Sequence, residues 1–107
     1  MNKSSIPVIE LTGSPYQIGK QHGEKCREKI QQNIEKYLAL FNFYGLKDKD
    51  KAFSTAENHA VPIKKYSPAL FEEINGITDG SKCKLNEILL LNTRTEILAE
   101  LLFRYNM

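Results

Sequence analysis

Ile88-Leu89-Leu90-Leu91-Asn92-Thr93-Arg94-Thr95-Glu96-Ile97-Leu98 sets five polar residues inside an apolar run that resumes through Ala99, Leu101, Leu102 and Phe103. Read as one helix, the spacing places Arg94 on the face that carries Leu90, Leu91, Ile97, Leu98 and Leu101. Its neighbours one turn away are apolar, so no carboxylate of its own face can pair with it. A guanidinium buried without a partner is costly. Arg94 is therefore expected either to centre a structural ion-pair network or to support a site.

Working outward, Ser67-Pro68 opens the helix before this one. Serine suits the cap, proline suits the first helical position, and Leu70, Phe71, Ile74 and Ile77 form the buried stripe. Gly76 lies inside that pattern at a cost in helix propensity, which points to a close neighbour, and Gly80 is expected to close the helix. A polar helix over 48–60 precedes it, with Phe53 and Ala56 as its apolar contribution and Pro62 ending or kinking it. Further upstream, Ser14, Pro15 and Gln17 form a capping box with proline at the first position. The helix they open shows Ile18, His22, Cys26, Ile30, Ile34, Tyr37, Leu38 and Phe41 at steps of three and four, and Gly45 supplies its stop. Ile6-Pro7-Val8-Ile9-Glu10-Leu11 reads as a strand. The expected fold is mostly α, about four helices plus one N-terminal strand. A lone strand needs a sheet to join, and this chain offers no second one.

The 107 residues fit one domain. A formal charge of +2 spread along the chain forms no basic stripe, so nucleic acid is not suggested. The last apolar segment is interrupted by Asn92, Arg94 and Glu96, which argues against a membrane span. Two cysteines make no disulfide framework, and a reduced, cytoplasmic setting is expected.

Candidate chemistry is sparse. His22 and Cys26 stand one helical turn apart, a spacing that can hold two metal ligands, but further ligands are missing and a packed pair is the plainer reading. Gly19 and Gly23, also four apart, leave a notch for another backbone. Cys83 follows Ser81-Lys82, where a nearby lysine could activate a thiol, though an inert cysteine accounts for it as well. Glu72 and Glu73 point apart and suit helix electrostatics better than acid–base work. Glu96 and Glu100 are like charges one turn apart. No nucleophile, base and oxyanion hole can be assembled from these residues, and no metal or cofactor is expected.

Three blocks are more specific than their composition. They are Leu11-Thr12-Gly13-Ser14-Pro15-Tyr16-Gln17-Ile18-Gly19 with His22-Gly23, then Pro68-Ala69-Leu70-Phe71-Glu72-Glu73-Ile74-Asn75-Gly76-Ile77, then Glu87-Ile88 with Leu91-Asn92-Thr93-Arg94-Thr95-Glu96. Their order and spacing resemble the N-terminal region of the acyl-CoA:6-aminopenicillanic acid acyltransferase family, the isopenicillin N acyltransferase-like enzymes. The resemblance covers most of the chain except 40–65.

That resemblance implies an N-terminal nucleophile hydrolase, whose precursor cuts itself before a cysteine into a small α and a large β subunit. The freed cysteine carries the acyl group as a thioester, its own α-amino group acting as base. The fold implied is an αββα sandwich completed by the β subunit, with residues 1–107 as the α-subunit region and no catalytic residue of its own. Met107, eleven residues beyond Glu96, falls at the expected processing site, where the family has a small residue. Arg94, Asn92 and Glu96 are implied as pocket or structural support. The implied partners are the larger β subunit from the same precursor and a small-molecule acyl donor and acceptor, with acyl-CoA a candidate co-substrate. A reading from another class is a stand-alone helical interaction module without catalysis, which would offer its apolar last helix to a partner.

Overall fold

The computed structural model describes residues 12–105, and side chains through residue 103. Among the described residues there are seven helices and no strand: α1 (Pro15–Lys25), α2 (Arg27–Phe43), α3 (Lys49–Asn58), α4 (Ala60–Tyr66), α5 (Pro68–Ser81), α6 (Leu85–Asn92) and α7 (Arg94–Tyr105). This corrects the expected four helices plus a strand within an αββα sandwich. The segment 6–11, read as a strand, lies outside the described residues, as does Met107.

Two of the additional helices come from interruptions that a periodic pattern cannot reveal, and the third, α4, occupies the segment where Pro62 is expected to end or kink the polar helix. The helix begun at Pro15 breaks at Cys26 (φ −112°, ψ 20°), the polar helix turns at His59 into α4, and the last one breaks at Thr93 (φ −107°, ψ 8°). At Cys26 and Thr93 the apolar spacing carries across the break. At Thr93 the buried side chain turns its hydroxyl back onto the Leu89 carbonyl at 2.9 Å, which also accepts the Thr93 N–H at 3.0 Å.

Local sequence fixes the ends. Ser14 Oγ accepts the Gln17 N–H at 3.2 Å and the Ser14 N–H donates to Gln17 Oε1 at 2.9 Å, the reciprocal box expected. Gln21 clamps the preceding turn, donating from Nε2 to the Thr12 carbonyl at 2.7 Å. Gly45 (φ +108°) ends α2, with the Leu46 N–H on the Phe41 carbonyl at 2.8 Å and the Gly45 N–H on Asn42 at 3.2 Å, a Schellman motif. Asp48 caps α3 by accepting the Asp50 N–H at 2.9 Å. Pro68 begins α5 as expected, whereas the Ser67 side chain makes no cap bond. Gly80 does not close α5; Lys82, left-handed at φ 60°, does.

Two packing arrangements hold the fold. The first joins α1 and α5 side by side in the same direction. A Cβ on Gly19 would come within 2.0 Å of the Glu73 carbonyl oxygen, and one on Gly23 within 2.6 Å of that of Ile77. From the other side, a Cβ on Gly76 would meet the Tyr16 oxygen at 2.1 Å and one on Gly80 the Lys20 oxygen at 2.2 Å. Paired glycines on both helices thus bring the backbones into direct contact. The notch expected at Gly19, Gly23 and Gly76 is present.

The second arrangement is an apolar core in which α2 crosses α5, α6 and α7 while α3 covers α6. Phe41, Leu89 and Leu90 are fully enclosed there, each worth about 1.5–3 kcal/mol in burial. Ala52 and Ala56, small enough for close approach, carry α3 onto it. Two α2 side chains tie the units together: Arg27 donates twice to the Gly80 carbonyl, at 3.1 and 3.2 Å, and Gln31 donates to that of Ser81 at 3.1 Å. These satisfy carbonyls at the negative end of α5. No helix among the described residues is long and apolar enough to cross a membrane.

Candidate functional site

A cleft of 270 Å³ opens among α1, α2, α5 and α6, with Arg94 from the first turn of α7 among its lining residues. Ile30, Ile74, Ile77, Ile88 and Leu91 provide its apolar wall. Its polar groups are His22 from α1, Glu73 from α5, Asn92 from the end of α6 and Arg94. The glycine contact between α1 and α5 sets the first two in place. The break at Thr93 sets the other two, because Asn92 and Arg94 flank the buried threonine and both emerge to the surface.

Arg94 differs from expectation. A continuous helix would have turned it onto the apolar face; the break leaves it exposed. Its guanidinium donates to the Leu91 carbonyl and lies over the Tyr37 ring, 5.4 Å from the centroid. Among the described residues no carboxylate pairs with it. The polar side chain buried in the Leu-rich run is Thr93, which helical periodicity does not single out. A local signal for it exists: a threonine within an apolar helix can bury its hydroxyl by bonding back one turn.

Of the three support residues expected from sequence, Asn92 and Arg94 meet at the cleft. Glu96 is exposed on α7 and does not line it. His22 lines the cleft while Cys26, one turn on, packs against the core, so the pair does not converge. Among the described residues no group of three or more His, Cys, Asp or Glu side chains is arranged to hold a metal. Cys26 and Cys83 are free thiols, half-buried, and the Cys83 sulfur lies 3.7 Å from the Ser81 carbonyl. Glu73, which its sequence position assigns to helix-start electrostatics, is a cleft residue in the fold.

A larger groove of 550 Å³ lies along α2 and the following turn, lined by Glu35, Asn42, Lys47 and Lys49 over Leu38 and Leu46. It contains none of the expected site residues. One other polar contact stands out across the α1–α5 seam. The Tyr16 hydroxyl donates to Asp79 Oδ2, and the carboxylate beside it raises the phenol above its usual 10.0, with desolvation adding to the effect.

No protein-family model matches this chain. Among curated proteins it is similar to the acyl-coenzyme A:6-aminopenicillanic-acid-acyltransferase 40 kDa form of Emericella nidulans, with 31% identity over 88 residues. The match takes in 82% of this chain and 25% of that protein, so the chain spans about a quarter of the length of the relative. The chain is a distant relative of that acyltransferase.

Proposed function

We propose that this chain is the small-subunit part of an autoprocessed acyltransferase or amide hydrolase acting on N-acyl compounds. It supports an active site whose cysteine nucleophile belongs to a larger β subunit cut from the same precursor. The observation that carries this reading is Arg94: an exposed cation lining a cleft, bonded to a carbonyl and lying over a ring face, with no carboxylate partner among the described residues. The distant relationship to a fungal acyltransferase supports the class of chemistry.

In this reading Arg94 meets a carboxylate of the larger subunit and fixes the start of α7. Asn92, beside it, offers an amide to the interface or the substrate. Glu96, one helical turn before Glu100 on the exposed side of α7, supports the same contact. The acyl group is carried as a thioester on the larger chain and passes to an amine or to water. Acyl-CoA is a candidate donor. The chain's own thiols take no part, since neither faces the cleft.

The test is Arg94→Met in the complete precursor. Loss of cleavage or of subunit pairing is expected, with helix content unchanged. A normally cleaved, fully active Arg94→Met enzyme overturns the assigned role.

A further inference from the structure

Arg94 touches two groups of different standing. The Leu91 carbonyl lies three residues upstream in the chain, so that bond travels with the Thr93 break itself. The Tyr37 ring belongs to α2, a separate element, and is an outside reference for the guanidinium. That ring is braced from behind. Tyr37 is half-buried against the apolar core, and its centroid lies 6.3 Å from that of Phe41 at an interplanar angle of 46°. Phe41 is 0% exposed, so the second ring sits in close-packed surroundings with little room to yield. Among the described residues the Tyr37 hydroxyl makes no hydrogen bond, which leaves the ring face as the working part. The start of α7 has little else to fix it. Its buried residues among those described, Ile97 and Leu101, lie one and two turns on from Arg94, whereas Asn92, Thr95 and Glu96 around the arginine are exposed.

We propose that Tyr37 is a positioning residue: its ring holds the Arg94 guanidinium in the orientation that receives the carboxylate of the larger subunit. What Arg94 meets rests on the acyl-transfer reading above, whereas the ring contact does not. The cause is the negative face of the aromatic ring, which attracts the cation. A guanidinium carries its N–H groups around the rim of a plane, so contact through the flat face leaves them free for a carboxylate. An exposed arginine otherwise samples many rotamers, and ordering it on binding costs affinity; a ring that orders it beforehand removes part of that cost. A contact of this kind at an exposed site corresponds to about a two- to fivefold change in an equilibrium or a rate. Lys36 also places its ammonium over this ring, 5.8 Å from the centroid. It is the sequence neighbour of Tyr37 on α2 and carries no information about α7, which makes it the control cation.

The experiment compares Tyr37→Phe, Tyr37→Leu and Lys36→Met with the parent in the complete gene product, with circular dichroism confirming helix content in each. Two readouts are taken. The first is the proton shift of the Arg94 side chain in protein made with isotope-labelled arginine, which a ring face moves upfield. The second is the rate of precursor cleavage and the strength of subunit pairing. The upfield shift should be present in the parent, kept in Tyr37→Phe and lost in Tyr37→Leu. Cleavage or pairing should fall by about two- to fivefold in Tyr37→Leu and stay at the parent level in Tyr37→Phe and Lys36→Met. A side chain that only fills space in the core would not move the Arg94 resonance. The positioning role is overturned if the parent shows no ring shift on Arg94, if Tyr37→Leu cleaves and pairs as the parent does, or if Tyr37→Phe or Lys36→Met loses as much as Tyr37→Leu. The two claims fail separately. Impaired Arg94→Met beside unimpaired Tyr37→Leu overturns the positioning role alone, and unimpaired Arg94→Met overturns the role of Arg94 while the ring shift still reports the contact.

Discussion

Gly76 faces Tyr16 so closely that a Cβ on the glycine would stand 2.1 Å from the tyrosine carbonyl oxygen. Backbone here lies against backbone, and no flexible side chain can yield. Gly19→Ala and Gly76→Ala should each destabilise the fold by about 1–3 kcal/mol, even after the gain of about 1 kcal/mol in helix propensity. Gly45 is the contrast. Nothing lies within 4 Å of its would-be Cβ, and only its φ of +108° resists substitution. Gly45→Ala should cost about 1–2 kcal/mol, and Gly45→Asn less. Urea denaturation of the three alanine variants and Gly45→Asn checks both statements: equal losses for Gly45→Ala and Gly45→Asn would remove the conformational cause.

Arg27 should act as a charged cap on another helix. Its two bonds to the Gly80 carbonyl lie where the α5 dipole is negative. Arg27→Met keeps much of the aliphatic stem and should lose about 1–2 kcal/mol. A thermal melt measures it. An unchanged midpoint would mean that solvent satisfies the α5 terminus equally well.

The Tyr16–Asp79 pair predicts an alkaline effect of known sign. The pair stabilises the protonated phenol, so the folded-state pKa lies above the unfolded value near 10.0. Its contribution to stability is present below the unfolded pKa and is lost as pH rises through the folded one. Tyr16→Phe should flatten the alkaline limb of a stability-versus-pH curve, and Asp79→Asn should lower the Tyr16 titration seen by ultraviolet absorbance. A Tyr16 titration indifferent to Asp79→Asn contradicts the coupling.

Thr93 should govern Arg94. Thr93→Val removes the hydroxyl that bonds to Leu89 while keeping nearly the same buried shape. Stability should change by about 1 kcal/mol or less. Arg94 should rotate toward the apolar face as the break relaxes, and precursor cleavage should fall with it. Cleavage at the normal rate in Thr93→Val would separate the break from the role of Arg94.

The parts legible in sequence are those decided within a few residues. Ser14, Pro15 and Gln17 specify their cap by contacts three residues apart, and Gly45 specifies its stop by conformation alone. The glycines at 19, 23 and 76 announce a close neighbour because a helix interior tolerates them at a cost. Their mutual pairing is not legible, since nothing local says that α1 lies on α5. The breaks at Cys26 and Thr93 are hidden because Ile30 and Ile97 continue the apolar spacing on the far side. A helix carried through Thr93 turns Arg94 inward, so an exposed cation reads as a buried one. Asn92 and Arg94 are legible as site candidates. His22 and Glu73 join them only through packing: by spacing alone His22 pairs with Cys26, and Glu73 belongs to the first turns of its own helix.

The most direct test of the central claim is the intact mass, under denaturing conditions, of every chain that copurifies with this one from cells expressing the complete gene. The account predicts a second, larger chain, bound tightly and beginning with cysteine. Recovery of a folded, monodisperse helical chain with no such partner would contradict it and favour a stand-alone interaction module.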